Sequence, residues 1–183
     1  MVRLQFDPFP EIRTARLRLR KVTTADAHEM FFLRSDAEVQ RFVDRPRAVS
    51  VEDAVRYIDD MNHLIAKNEV ILWGISLVPD DKMIGYICLF HVDRANARCE
   101  VGYVLHTAYH RKGIMKEALA AVVDYGFKTI RFHTITADIN PQNIASIALL
   151  RSLGFVQEAY FKENCFFNGK FLDTAIFTKI NRG

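Results

Sequence analysis

The sequence predicts an α/β (α+β) fold in which helices flank one mixed, mainly antiparallel sheet of about seven strands. Segments with apolar residues at every second position alternate with segments that have apolar residues at helical spacing. Three strand-like segments also follow one another directly through short polar turns, which is typical of an antiparallel meander. Because 183 residues, 50% of them hydrophobic, can form one compact core, we expect residues 1–183 to fold as a single domain.

The N-terminal part of the chain predicts one strand followed by two helices. Leucine and arginine alternate over residues 15–22, as in a strand with one buried face. Thr23 and Asp26 have the spacing of a capping box, and Ser50 and Asp53 repeat it. Each pair precedes apolar residues at helical spacing, so each is expected to begin a helix. The predicted elements are a strand over 15–22 and helices over 23–34 and 50–68.

The remainder of the chain predicts strands and helices separated by turn residues. A polar loop, 106–112, leads into a helix that Gly113 opens. Residues 140–142 break the strand that follows this helix, and Gly154 has the position of a left-handed helix cap. The predicted strands are 70–78, 83–92, 99–105, 132–139, 155–162 and 170–178, and the predicted helices are 113–128 and 144–152.

The composition argues against several classes of partner. A formal net charge of +3 is too small and too dispersed to predict nucleic-acid binding. The apolar stretches are shorter than the roughly 20 residues of a membrane-spanning helix, and the N-terminus lacks the apolar core of a signal peptide. We therefore expect a cytoplasmic protein with no membrane partner. Cys88, Cys99 and Cys165 have neither the spacing of a zinc site nor that of a disulfide framework, so no metal is expected.

A basic, glycine-containing loop is the first candidate for ligand binding. Residues 109–116 join a predicted strand to a predicted helix, and the first N–H groups of a helix together with its dipole attract phosphate. Gly113 would let the backbone approach a pyrophosphate, while Arg111, Lys112 and Lys116 would supply positive charge. The segment alone is equally compatible with an ordinary basic loop that has a glycine cap.

Other segments of the chain favour the phosphate-binding interpretation. Over about residues 14–177 the sequence resembles the GNAT acetyltransferases, in particular the branch of ribosomal-protein N-terminal (alanine/serine) acetyltransferases. Each matching segment is short, but their combination and order are specific. The segments that carry the resemblance are 14–20, 84–86, 100–105, the basic loop 109–116, 136–146 and 153–155.

The resemblance implies acetyl-CoA as co-substrate. The coenzyme would lie between the strand that ends at Leu105 and the strand that ends at Ile139, with its pantetheine arm paired to the first strand's backbone. Asn143 would bind the pantetheine amide or, alternatively, cap the next helix. His110 and Met115 depart from the family's glutamine and glycine pattern, and the Met115 side chain must turn away from the phosphates. The implied contact residues are Tyr103, Val104, Leu105, His110, Arg111, Lys112, Gly113, Ile114, Met115, Lys116 and Asn143.

Two residues are candidates for proton transfer. In enzymes of this family a carboxylate at the position of Glu100 can accept the amine's proton; the alternative is a strand-edge glutamate paired with a lysine or arginine. Many members carry a tyrosine acid at the position of Leu150, so Ser146 is the best remaining donor to the coenzyme A sulfur. Ser146 lies three residues after Asn143, nearly on the same helix face. Its alternative role is a hydrogen bond to the preceding helical turn.

The acceptor is predicted only as a primary amine, on a protein N-terminus or a small molecule. We expect helices 23–68 and the hairpin 161–171 to shape its pocket, with His106, Tyr109 and His110 as further candidates. A non-catalytic acetyl-CoA-binding module is the alternative function, and the sequence leaves a homodimer open. Another nucleotide-binding α/β protein is disfavoured, because the loop has neither of the usual glycine patterns.

Overall fold

The protein is built on one central sheet, and the computed structural model describes residues 2–182. Within that range the sheet has eight strands, and four α-helices flank it. The strands are β1 (Ile12–Arg13), β2 (Leu17–Lys21), β3 (Ile71–Leu77), β4 (Met83–Asp93), β5 (Arg98–Leu105), β6 (Thr134–Ile139), β7 (Val156–Phe167) and β8 (Lys170–Ile180). The helices are α1 (Ala27–Ser35), α2 (Val51–Ala66), α3 (Ile114–Tyr125) and α4 (Ile144–Ser152).

The strand order is β1-β2-β3-β4-β5-β6-β8-β7. Every neighbouring pair is antiparallel except β5 and β6, which run parallel. A parallel pair needs a crossover connection, and here α3 provides it. The prediction of a mixed, mainly antiparallel sheet with flanking helices is therefore confirmed. The additional strand is β1, whose two residues pair with Arg18 and Leu19.

Local signals begin and end the helices as predicted. The N–H of Thr23 donates to Oδ2 of Asp26 at 3.0 Å, and the Oγ of Ser50 accepts from the N–H of Asp53 at 3.3 Å. Both capping boxes are thus present, although a short 3₁₀ turn precedes α1. Gly154 has a φ of +80°, the left-handed conformation expected of a glycine cap.

Different helices occupy the two faces of the sheet. Leu89 and Val101 are paired across β4 and β5, and a Cβ built on Gly126, just after α3, would lie 3.7 Å from Leu89. Successive side chains on a strand point to opposite faces, so Phe90 and its partner Glu100 point to the other face. Residues of α2 line the same cavity as these two side chains. The candidate base and α2, one of the predicted acceptor helices, are therefore on one face.

Four predicted strand boundaries were wrong by two or more residues, one of them the end of the last strand, which is at Ile180 rather than at residue 178. The first strand begins at Leu17 rather than at residue 15, and β6 begins at Thr134 rather than at residue 132. β7 continues to Phe167, five residues beyond its predicted end. Lys162, Glu163 and Asn164 have low strand propensity, and they form a bulge at the register shift between Phe161 and Cys165, the residues on either side that pair with β8.

The core is apolar and lies between the sheet and the helices. Trp73, Phe132 and Phe177 are among its largest fully buried side chains. The indole N–H of Trp73 donates to the carbonyl of Pro10 at 2.7 Å, so the one polar atom of this side chain is satisfied. No helix within residues 2–182 combines the length and the apolar character that a membrane span requires.

Candidate active site

The sheet opens between β5 and β6. Their pairing covers three residue pairs and ends at Glu100 and Thr136. Within residues 2–182, β6 pairs only with β8 beyond that point, and one edge of β5 from Val101 to Leu105 has no strand beside it. A free strand edge offers N–H and C=O groups to an extended ligand. The opening leads into a cavity of about 890 Å³, which is the predicted position of the pantetheine arm.

Gly113 begins α3 in a left-handed conformation, with φ of +72° and ψ of +5°. L-amino acids other than glycine adopt this conformation at a cost of roughly 1–2 kcal/mol. Arg16 holds the loop from the other side, because its guanidinium donates to the carbonyl of Lys112 at 3.1 Å and pairs with Glu117 at 2.7 Å. Arg16, the residue before β2, therefore fixes the position of the predicted phosphate loop.

The first turn of α3 presents its backbone and not its apolar side chains. Ile114 and Met115 are buried, with 3% and 9% of their surface exposed, so the Met115 side chain turns into the core as its position requires. The first N–H groups of a helix have no partner within the helix, and they begin beside Gly113. Arg111, Lys112 and Lys116 are exposed. Nε2 of His110 lies 2.9 Å from the carbonyl oxygen of Leu105. This contact joins the loop to the end of β5.

Asn143 and Ser146 lie in the first turn of α4. Oδ1 of Asn143 accepts from the N–H of Ser146 at 3.1 Å, so Asn143 is the N-cap. Ser146 is buried, and its Oγ lies 2.6 Å from the hydroxyl of Tyr103. It thus makes a contact to β5 that the sequence did not indicate. Leu150 is fully buried in the core, away from the opening.

Glu100 lies at the apex of the opening. Its side chain is 18% exposed, and Oε2 lies 2.9 Å from Nδ1 of His91. Burial raises the pKa of Glu100 above its ordinary value, the hydrogen bond from His91 lowers it, and the nearby charge of Asp138 raises it. Burial also raises the pKa of Asp138. Glu100 therefore pairs with a histidine and not with the lysine or arginine of the alternative interpretation. A carboxylate with a raised pKa is a better proton acceptor.

The candidate base and the candidate donor approach the opening from opposite faces. Glu100 shares a face with Phe90, whereas Tyr103, an odd number of residues along β5, points to the other face and contacts α4. Both Glu100 and Ser146 line the cavity of about 890 Å³. A thioester that lies in the opening would have a carboxylate on one side and two hydroxyl groups on the other.

Sequence reasoning missed His91, Asp138 and the hydroxyl of Tyr103. His91 follows Phe90, so regular alternation would point it away from Glu100, but its φ of +48° and the irregular pairing after Phe90 redirect it. Asp138 shares a face with Glu100 only because Glu100 pairs with Thr136. No local pattern specifies that parallel register.

The acceptor side differs in part from the prediction. The second helix α2 and the last hairpin do line the cavity, through Tyr57, Met61 and Cys165 among others, whereas α1 contributes no lining residue. The three further candidates, His106, Tyr109 and His110, are not among the residues that line this cavity. The ring of His106 instead stacks on Phe32 at 4.4 Å between ring centroids, which fixes the start of the loop.

Comparison with known proteins agrees with this geometry. The family described as Acetyltransferase (GNAT) domain matches residues 16–156. A Bacillus subtilis protein named as an uncharacterized N-acetyltransferase, YoaA, is 31% identical over 93% of this chain and 96% of its own length. Among solved structures, a ribosomal-protein-S5-alanine acetyltransferase from Vibrio fischeri is 25% identical, with a TM-score of 0.84 over 94% of this chain and 97% of that chain.

A third relative was solved with coenzyme A bound. This ribosomal L7/L12 α-N-protein acetyltransferase is 20% identical and has a TM-score of 0.85 over 93% of this chain and 98% of that chain. Its likeness demonstrates a common fold. The family match covers most of the chain, and the Bacillus subtilis relative spans nearly all of it. The chain therefore belongs to the GNAT family of acetyl-CoA-dependent N-acetyltransferases.

Proposed function

We propose that this enzyme transfers the acetyl group of acetyl-CoA directly to the amine of a peptide N-terminus. The observation that carries the proposal is the opening between β5 and β6, with Glu100 at its apex on one face and the Tyr103–Ser146 pair on the other. The names of the Vibrio fischeri and coenzyme A-bound relatives, which act on ribosomal proteins, support a peptide acceptor. A small-molecule amine is the second class of acceptor.

The residues divide the reaction into two proton transfers. Acetyl-CoA supplies an activated thioester carbonyl. Glu100 accepts a proton from the ammonium form of the acceptor, so that the nitrogen lone pair can attack the carbonyl carbon. The new C–N bond forms as the C–S bond breaks, the electron pair of that bond leaves with the sulfur, and the nitrogen loses its second proton to solvent. Glu100 then returns its own proton to solvent. The Tyr103–Ser146 pair donates a proton to the thiolate, and solvent restores it.

The sequence predicts Ser146 as the proton donor to the sulfur, and the contact between Tyr103 and Ser146 adds a second hydroxyl group to that role. Burial raises the pKa of Tyr103 to about 12, and its hydrogen bond with Ser146 lowers that pKa. A phenol is nevertheless a stronger acid than an aliphatic alcohol, so we assign Tyr103 as the proton source and Ser146 as the group that relays or directs the proton. The distance of 2.6 Å between the two oxygens is suitable for such a transfer.

The alternative of a non-catalytic module depended on Met115. Because its side chain is buried, the phosphate loop has no obstruction at that position, and the reason to favour the alternative is removed. The decisive experiment follows free coenzyme A with a thiol reagent and detects the acetylated peptide by mass spectrometry. We expect release only with a free N-terminus and none above hydrolysis with an N-acetylated peptide. Tight acetyl-CoA binding without release for any amine would establish the binding module instead.

Replacing Ser146 by alanine is expected to lower kcat by about tenfold, less than the roughly 10² to 10⁴ of a typical positioned acid. The effect is small because an alkyl thiol has a reference pKa of about 8.5 and is already a good leaving group. Tyr103→Phe is expected to lower kcat at least as much. The double variant should lose no more than the larger single loss, because the two hydroxyls act as one unit. Single-turnover measurements of the chemical step test this.

A matched control is Ser152→Ala on the same helix, where the hydroxyl donates only to the carbonyl of Leu149. This variant should retain the wild-type rate, and all variants should bind acetyl-CoA with an unchanged Kd. Wild-type chemistry in both Ser146→Ala and Tyr103→Phe would mean that water protonates the thiolate.

A further inference from the structure

A second cavity of about 420 Å³ adjoins the larger cavity of about 890 Å³ that contains Glu100, which we call the cleft. Its walls are the segment between α1 and α2, residues 40–47, and the tip of the β7–β8 hairpin. It shares residues 42–45 and Asn140 with the larger cavity that contains Glu100. An acceptor that enters the cleft can therefore extend into this second cavity, which we call the side cavity.

The side cavity is basic. Arg41, Arg45, Arg47 and Lys170 line it, against one carboxylate, Asp44. Within residues 2–182 none of these four cations forms an ion pair. By contrast, several other arginines of the described chain form ion pairs with carboxylates of the protein, as Arg18 does with Glu11. The cationic groups of the side cavity thus remain available to a ligand.

Arg45 lies at the junction of the two cavities and lines both. Its guanidinium donates to the hydroxyl of Tyr86, and its Nε is buried without a hydrogen-bond partner among the residues that the structure describes. A guanidinium that is partly withdrawn from water without a carboxylate is unfavourable unless an anion compensates it. A bound anionic group on the acceptor would supply that compensation.

The cleft itself has the opposite character. Glu100, Asp138, Asp44 and Glu69 line it, while Arg45 and His91 are its only basic lining residues in the described part of the chain. An ammonium group is therefore favoured near Glu100, and an anion is favoured near the side cavity. Together the two cavities match a molecule with an amine at one end and negative charge further along.

The strand register gives the offset of these two sites along the sheet. Tyr86, which contacts Arg45, is paired with Val104, four residues along β5 from Glu100. At about 3.3 Å per residue this is a distance of about 13 Å along the strand. An extended peptide covers the same distance in about four residues.

We propose that the acceptor is an acidic peptide segment, with its N-terminal amine at Glu100 and acidic side chains near its third to fifth positions in the side cavity. The inference depends on the proposed function, since it assigns the acceptor of that reaction. It names a class of substrate that the family as a whole does not determine. The positive charges of Arg45, Arg47 and Lys170 determine the specificity.

The test compares three hexapeptides that share an N-terminal alanine and differ only at positions three and four, with aspartate, asparagine or lysine. We expect kcat/KM to be about tenfold higher for the aspartate peptide than for the asparagine peptide, and lowest for the lysine peptide. The preference should decrease as salt is raised, because exposed charges are screened. Equal kcat/KM values for all three peptides would overturn the acidic acceptor while leaving the acetyltransferase proposal intact.

Variants of the basic residues test whether the side cavity causes the preference for the aspartate peptide. Arg45→Gln, and separately the double variant Arg47→Ala with Lys170→Ala, should reduce the aspartate-to-asparagine ratio toward one. The control Lys21→Ala with Lys128→Ala removes two exposed positive charges outside both cavities and should keep the ratio. If Arg45→Gln fails to fold, the double variant, at two exposed positions, still decides the question. A ratio that is unchanged in the double variant would exclude the side cavity.

A binding measurement separates this inference from the proposed function. Calorimetry with the protein, coenzyme A and the N-acetylated aspartate peptide requires no turnover. We expect this peptide to bind about tenfold more tightly than its asparagine counterpart. If no peptide is acetylated but this difference in binding is found, the proposed function fails and the anionic site stands; equal binding removes the anionic site.

Discussion

Replacement of Gly113 by aspartate is expected to weaken acetyl-CoA binding by about 100-fold or more while the protein remains folded. The residue begins α3 with a φ of +72°, where the helix N-terminus and its N–H groups would face the pyrophosphate. Aspartate places a negative charge and a Cβ at this point, so it repels the phosphates and blocks close approach of the backbone. Calorimetric titration with acetyl-CoA measures the effect.

Aspartate at position 113 is strained by the left-handed backbone, so a control must separate the loss of stability from the loss of acetyl-CoA binding. Gly169→Asp is the matched control, because Gly169 has a φ of +76° and a Cβ there would meet nothing within 4 Å. Both variants should have a similar loss of thermal stability, but only Gly113→Asp should lose acetyl-CoA binding. Equal affinity in the two variants would remove residues 109–116 from the coenzyme site.

Replacement of Glu100 by glutamine is expected to lower kcat/KM at neutral pH by about 10² to 10³, within the range of a positioned base. The loss should diminish as the pH is raised, because an α-amine with a pKa of about 7.7–8.0 increasingly reaches the enzyme already deprotonated. The pH dependence of kcat/KM with a peptide acceptor tests both statements. Glu158→Gln, an exposed change on β7, should retain full activity. Full activity in Glu100→Gln at all pH values would exclude Glu100 from proton transfer.

Removal of His91 and removal of Asp138 should shift the pKa of Glu100 in opposite directions. The wild-type acid limb of kcat/KM should lie above the pKa of about 4.3 of an ordinary glutamate, because burial raises the pKa of Glu100. The hydrogen bond from His91 lowers this pKa, so His91→Ala should move the acid limb to higher pH. The charge of Asp138 raises it, so Asp138→Asn should move the limb to lower pH. Shifts of the same sign in both variants would contradict the arrangement.

The candidate site was accessible to sequence reasoning where its signals are local. Gly113 was recognised because a polar loop ends and helical periodicity begins at that residue, and its left-handed conformation agrees. The resemblance indicated Asn143 as a coenzyme contact, and its local alternative, capping of the next helix, is present, since Asn143 is the N-cap. Capping and periodicity depend on residues within about one turn of each other, so they can be read directly along the chain.

Contacts between distant segments were not accessible in this way. Tyr103 and Ser146 are 43 residues apart in the chain, and no spacing rule relates a strand residue to a helix residue beyond the next strand. The side cavity likewise combines residues 40–47 with the tip of the last hairpin. The individual arginines are visible in the sequence, but only the packing of these segments gathers them into one basic wall.

The sequence by itself determined the mixed α/β class, the order of most helices and strands, and the positions of the glycine and asparagine at the two helix starts. The tertiary structure decided where β5 and β6 separate and therefore which residues face one another across the opening. The physical reason is that strand register depends on burial of whole faces of the sheet. Pairing of Glu100 with Thr136 brings Asp138 near the candidate base, and this results from the packing of helices onto both strands.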